Sequence, residues 1–227
     1  MINLAEFLGL ESFEWQQNIF AKGCLLCYNT ILPFFPTTLE EYDLRPKGGG
    51  PLPQFVILLS REIGETRFLP TAFYLLPLYH ENEEESYKTL MSDNEKAIYF
   101  EGKQQLATIW PRFVQEEWVE WSGCTDSPRC DEGWKGLSDD VRWRALFPWN
   151  ILQPYPLADL KFYEEMLSDK RTALCKKHRR AARARVREKR AEVWDSLPGI
   201  FQLGTWDALA KENMGVIGAH DDADPQP

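Results

Sequence analysis

Two short segments hold the residues whose types and spacing suggest chemistry. Cys124 and Cys130 bracket a loop containing Ser and Pro, and Cys175-Lys-Lys-His178 sets a thiol and an imidazole three residues apart. Thiolates and neutral imidazole are the usual donors of tetrahedral zinc, and two ligand pairs from separate segments can close around one ion. On a helix, residues three apart share a face, so Cys175 and His178 point the same way if their segment is helical. Lys176, Lys177, Arg179 and Arg180 flank this pair and favour the thiolate form. Cys124, Cys130, Cys175 and His178 are therefore the expected metal ligands, forming a closed structural zinc site with no position left for substrate. The five-residue gap within the first pair is wider than the usual zinc-finger knuckle, so buried thiols without an ion fit the same residues.

Other chemistry is poorly represented. Cys24-Leu-Leu-Cys27 has redox spacing but lies in an apolar helical run without a surrounding βαβ pattern, and reads as core packing. His80 and His220 stand alone. Gly48–Gly50 lacks both the Lys-Ser/Thr ending and the preceding strand of a phosphate loop. No Gly-x-Ser-x-Gly or His-Glu-x-x-His pattern occurs, so no catalytic residue, no cofactor beyond zinc and no enzymatic activity are expected.

Charge is distributed unevenly. The chain carries 26 Lys+Arg against 35 Asp+Glu, a net charge of −9. Yet Arg171, Lys176, Lys177, Arg179, Arg180, Arg183, Arg185, Arg187, Lys189 and Arg190 fall within twenty residues that contain one acid, Glu188. Such a cluster suits phosphates, an anionic membrane, an acidic protein or an import receptor. It equally suits an exposed helix face that answers the acidic remainder of the same chain. No nucleic-acid reading motif accompanies it, so location or ionic contact is the expected role, ahead of nucleic-acid binding.

These residues must be positioned by helices. With 227 residues and 44% hydrophobic content, the chain suffices for one domain or two small ones. Nothing approaches the ~18–20 apolar residues of a membrane span. The N-terminus lacks signal-peptide features, and five cysteines do not form a secreted framework, so cytoplasm or nucleus is expected. Helical spacing predicts helices over Ile2–Leu10, Glu11–Asn29, Leu39–Tyr42, Gln54–Ile63 and Leu69–Tyr79, with Gly64 as a stop and Pro77 as a kink. Arg45–Pro53, with three glycines and three prolines, is a predicted loop, as is the acidic run Glu81–Glu85. Ser92-Asp-Asn-Glu95 matches a capping box that opens a helix reaching about Trp121, with Gly102 and Pro111 as predicted interruptions. Asp131–Leu146, Leu157–Leu167, a long helix from Lys170 to Leu197 broken by Pro198–Gly199, and Trp206–Asn213 capped by Thr205 complete the pattern. The expected fold is all-α: an irregular multi-helix array with long loops, divided into residues 1–80, an acidic loop 81–91, a second subdomain 92–213 and a disordered tail 214–227.

Several of these segments resemble the region that follows the BTB/POZ fold in a large fungal protein family. The similarity lies in Phe35-Pro-Thr-Thr-Leu-Glu-Glu-Tyr42, Phe55-Val-Ile-Leu-Leu-Ser-Arg-Glu62 and Phe68-Leu-Pro-Thr-Ala-Phe-Tyr-Leu75. It continues in Cys124 and Cys130, in Leu174-Cys-Lys-Lys-His178, and in the closing Trp194-x-x-Leu-Pro-x-x-Phe-x-Leu-x-x-Trp206. His178 stands where the family pattern has a second cysteine, which changes the donor set but keeps zinc chemistry open. Residues 1–30 resemble at most the last helices of the BTB core, so the resemblance implies a chain without that core, to which the family's dimerisation and cullin-adaptor roles belong. The resemblance implies a noncatalytic protein–protein interaction module acting as an adaptor, with a protein partner and no membrane. The alternative is a zinc-stabilised nuclear or nucleic-acid-associated factor. Trp194, Leu197, Phe201, Leu203 and Trp206 are expected to form a structural anchor; an exposed aromatic patch for a partner is the other reading.

Overall fold

A computed structural model of the chain describes residues 34–44, 53–62, 64–79, 92–115, 124, 128–136, 155–168 and 173–217. These residues contain α-helices and no strand: α1 Leu39–Leu44, α2 Pro53–Glu62, α3 Leu69–Leu75, α4 Asp93–Gln115, α5 over 128–136, α6 Pro156–Ser168, α7 Lys176–Ile200 and α8 Trp206–Ile217. Short 3-10 turns at Thr66–Phe68 and Leu76–Tyr79 flank α3. The all-α expectation holds. Among the described residues no helix is long and apolar enough to cross a membrane. The expected helices before residue 30, the Gly/Pro loop over 45–52, the acidic run, Cys24, Cys27, His80, His220 and Arg171 lie outside the described residues.

The chain forms two compact units, Met1–Leu90 with Gly204–Pro227, and Met91–Leu203. This differs from the division expected from sequence: residues 204–213 group with the first unit, because α8 packs on the Thr66–Phe68 turn. The helix also continues through residues 214–217, beyond the point where a tail was expected.

In the first unit, the local signals act as read. Glu41 accepts hydrogen bonds from the Thr37 and Thr38 amides at 3.0 and 3.2 Å, while Thr38 Oγ1 accepts from the Glu41 amide at 3.2 Å. That reciprocal box starts α1. Gly64 ends α2 in the left-handed conformation, φ +70°, with its N–H donating to Arg61 O. Every residue of α3 is buried, so this helix is apolar all round and forms the centre of its unit. Thr71, buried within that run, donates its hydroxyl to Pro36 O at 2.6 Å. Pro77 ends α3 at Leu75, and Leu76–Tyr79 tighten into a 3-10 turn.

The second unit packs α4, α6 and α7 together. Buried positions on α7 run His178, Ala182, Val186, Arg190, Val193 and Leu197, in steps of four and three along one face. That stripe meets Leu157, Leu160, Tyr163 and Leu167 of α6. Tyr163 stacks on Trp110 of α4 with ring centroids 4.8 Å apart. Burying each such Leu, Val or aromatic side chain stabilises the unit by about 1.5–3 kcal/mol.

Three predicted breaks do not occur, for packing reasons. α4 opens on the Ser92/Glu95 box, Ser92 N–H donating to Glu95 Oε2 at 2.7 Å, and runs unbroken to Gln115. Gly102 lies inside it because a Cβ there would stand 2.5 Å from the Phe201 ring. Pro111 forfeits one backbone hydrogen bond, yet buried Leu106, Trp110 and Phe113 on either side hold the helix together. Pro198 and Gly199 sit in the last turn of α7, where Pro198 forfeits one amide bond to the preceding turn and burial of Trp194, Leu197, Pro198 and Ile200 holds the helix in place. The chain then closes with Gln202 left-handed at φ 55°, Leu203 N–H donating to Pro198 O at 2.7 Å and Gln202 N–H to Gly199 O at 3.0 Å. This is a Schellman closure.

The expected anchor divides. Trp194, Leu197 and Phe201 are buried in the second unit, Phe201 against Gly102. Leu203 is half-buried, and Trp206, also half-buried, belongs to the first unit. What the closing motif secures is the end of α7.

Candidate metal centre

The long helix starts later than its sequence suggests. α7 begins at Lys176, and Cys175 is its N-cap, with φ −64° and ψ 162°. Cys175 therefore precedes the helix, while His178 lies in its first turn and is buried. Cys130 also differs from expectation: it sits on α5 and not in a loop. The predicted start at Asp131 lies inside it, since Pro128 to Cys130 are already helical.

Sequence reading missed a residue that sets the distance between these elements. Gly133 of α5 faces Ala173, and a Cβ on it would lie 2.7 Å from the Ala173 Cβ. Absence of a side chain thus lets α5 approach the residues just before Cys175. A glycine inside the predicted helix Asp131–Leu146 was the signal available, and it is ambiguous by itself.

The outcome is convergence. One donor atom from each of Cys124, Cys130, Cys175 and His178 lies within 4.8 Å of every other. Cys130 and His178 are buried, Cys124 and Cys175 are part-exposed, and the three thiols are not in disulfides. The Cys175 amide donates to Cys130 Sγ at 3.2 Å. For a tetrahedral ion with Zn–S near 2.3 Å, neighbouring sulfurs stand about 3.8 Å apart. The group is thus about 1 Å from that spacing at its widest, and the donor set is one that structural zinc uses.

The three thiols differ in electrostatic setting. Burial pushes the Cys130 thiol up to about 11, against a backbone hydrogen bond from Cys175 that favours its thiolate. Cys175 is held below the ordinary thiol value, chiefly by the His178 amide, then against the opposing effect of burial by the Cys130 thiol, the Lys177 amide and the Cys124 thiol. Its sulfur does not complete a full capping hydrogen bond. It nevertheless sits over the N–H groups of the first turn, where negative charge is favoured. Three thiolates around a divalent ion leave one net negative charge, which Lys176, Lys177, Arg179 and Arg180 offset.

The rest of the basic cluster behaves differently. Arg183 and Arg187 pair with Glu164 of α6. Arg185 pairs with Glu188 and Glu192 at 2.9 and 3.1 Å and lies over the Phe113 ring at 5.8 Å. Lys189 also reaches Glu192, and the two cations hold that carboxyl below its usual range although partial burial works the other way. Arg190 is buried, donating to Leu157 O at 3.3 Å. Of the two readings of the cluster, Arg183, Arg185, Arg187 and Lys189 follow the one in which basic side chains answer acids of the same chain, while Arg190 answers a backbone carbonyl. Lys176, Lys177 and Arg180, next to the thiols, are exposed.

No protein-family model, curated protein or solved structure matches the chain.

Proposed function

We propose that the chain is a noncatalytic helical interaction module whose second unit is stapled by structural zinc held by Cys124, Cys130, Cys175 and His178. The observation that carries this reading is the convergence of three sulfurs and one imidazole nitrogen to within 4.8 Å. Four protein donors satisfy tetrahedral zinc and leave no open position at which a water or substrate would be activated. The resemblance of the 35–75 segments and the Trp194–Trp206 motif to the post-BTB region of fungal BTB-domain proteins supports a role in protein binding, with adaptor activity when a BTB partner is supplied by another chain. Reduced thiols suit the cytoplasm or nucleus. Elemental analysis of protein purified without a metal-binding tag tests the metal: one zinc per chain, lost in Cys175→Ser, is expected. Affinity purification with mass spectrometry tests the binding role: specific protein partners recovered with the chain support it, and their absence contradicts it.

A zinc-stabilised, nucleic-acid-associated factor is favoured by one observation, the exposure of Lys176, Lys177 and Arg180 beside the site. Its signature is affinity for nucleic acid that falls steeply with salt.

A further inference from the structure

Three of the four donors in the metal centre are sulfur, and by themselves they suit a second class of ligand. The sulfurs of Cys124, Cys130 and Cys175 lie within 4.8 Å of one another, and none is in a disulfide. Cys130 and Cys175 are 45 residues apart in sequence, yet the Cys175 amide donates to Cys130 Sγ at 3.2 Å. That bond holds the buried sulfur at the start of α7. Cys124 and Cys175 are part-exposed, which gives a ligand from solvent a way in to the covered third thiol.

Trivalent arsenic matches a triangle of thiols by its own chemistry. It is a soft centre that bonds three thiolate sulfurs in a pyramid, with a lone pair in the fourth direction. Imidazole nitrogen is a poor partner for it. Zinc therefore uses all four residues of the centre, and arsenic uses only the sulfurs. Closing the sulfurs around arsenic moves them inward by about 1 Å or more from their 4.8 Å limit. Cys175 is the N-cap of α7, ahead of the helical residues, so rotation about its χ1 leaves the helix wound. Once one sulfur is bonded, the next thiol is met at high effective concentration, which raises affinity by about 10²–10⁴-fold.

We propose that Cys124, Cys130 and Cys175 form a three-thiol site for trivalent arsenic, taken up as arsenous acid, so that zinc and arsenic are alternative occupants of one centre. This rests on the same convergence as the zinc reading, and the two part at His178, which only zinc needs. In the metal-free chain each thiol attacks arsenic, an S–As bond forms, an As–O bond breaks, and water leaves with the thiol proton. Three such exchanges release three waters. Arsenic stays trivalent throughout, so no oxidant or reductant takes part. In the zinc-loaded chain the sulfurs are already deprotonated; solvent supplies the three protons, and zinc leaves as the divalent cation.

The test titrates the full, reduced, zinc-loaded chain with sodium arsenite. Native mass spectrometry gives the stoichiometry, a chromogenic chelator follows zinc, and X-ray absorption at the arsenic edge gives the donors. One arsenic per chain is expected, bonded to three sulfurs and no oxygen, with one zinc released for each arsenic bound. Cys124→His keeps four zinc donors but only two thiols, so it should still load zinc and bind arsenite about a hundred-fold less tightly. Cys24 and Cys27 are untouched in that variant, so arsenite held there appears as affinity the variant retains. Arsenic that keeps an oxygen, or Cys124→His that binds arsenite as tightly as the parent, overturns the three-thiol site and leaves the zinc reading standing. Arsenic held by three sulfurs in a chain that never takes zinc upholds this site and overturns the zinc reading.

Discussion

The two ends of α7 are held by different physics. At its far end, Trp194, Leu197 and Phe201 are buried, and the Phe201 ring fills the space left by Gly102. At its start, Cys175 and His178 face two more donors, and the neighbouring side chains Lys176, Lys177 and Arg180 are exposed. One end is secured by apolar burial, which needs no ligand and varies little with solution conditions. The other brings together three thiols and an imidazole, whose hold on the helix start would tighten with an ion between them. A single helix can therefore have a permanent end and a conditional end.

The sharpest way to break this comparison is to damage the permanent end. Trp194→Ala removes a large buried indole and should cost ~3–5 kcal/mol, read by denaturant unfolding of the whole chain. A cost under about 1 kcal/mol would mean that burial does not fasten this end. Gly102→Ala asks whether close approach is the reason for the glycine. Helix propensity favours alanine by about 1 kcal/mol, but a Cβ 2.5 Å from the Phe201 ring must displace it. Net destabilisation of ~1–2 kcal/mol is expected, and a stabilised variant would show that the ring moves freely.

Between the two ends, Arg183, Arg185 and Arg187 can be replaced together by Gln, which preserves helix propensity and removes three charges. Exposed ion pairs contribute little individually, but Glu164 is left half-buried without its two arginine partners. A loss of about 1–2 kcal/mol, reduced at high salt, is the expected outcome. An unchanged unfolding midpoint would return these residues to a purely external role. Gln202→Gly should have the smallest effect. It relieves a left-handed non-glycine residue at φ 55° but forfeits the 2.9 Å hydrogen bond to Glu101, for a net gain of about 0.5 kcal/mol in the same unfolding measurement.

Sequence made local signals legible and tertiary ones obscure. Thr38/Glu41, Ser92/Glu95 and Gly64 act through neighbours within four residues, so their helix boundaries could be read directly. Gly102 and Pro111 looked like breaks because propensity is local, whereas the packing of Trp110, Phe113 and Phe201 that overrides it comes from elsewhere in the chain. Placement of Trp206 in the first unit was invisible for the same reason. The donor set was readable from residue type and from the three-residue step between Cys175 and His178. That Cys130 would meet Cys175 across 45 residues depended on the helix over 128–136 and on the approach permitted by Gly133. Neither has a distinctive local pattern.

The most direct test of the central claim is X-ray absorption at the zinc edge on protein purified without a metal-binding tag. Three sulfurs at about 2.3 Å and one nitrogen at about 2.0 Å are expected, with no oxygen in the coordination shell. A shell containing water oxygen would contradict a closed structural site and point to an open, reactive one. Absence of zinc from the folded chain would contradict the account of the conditional end of α7 altogether.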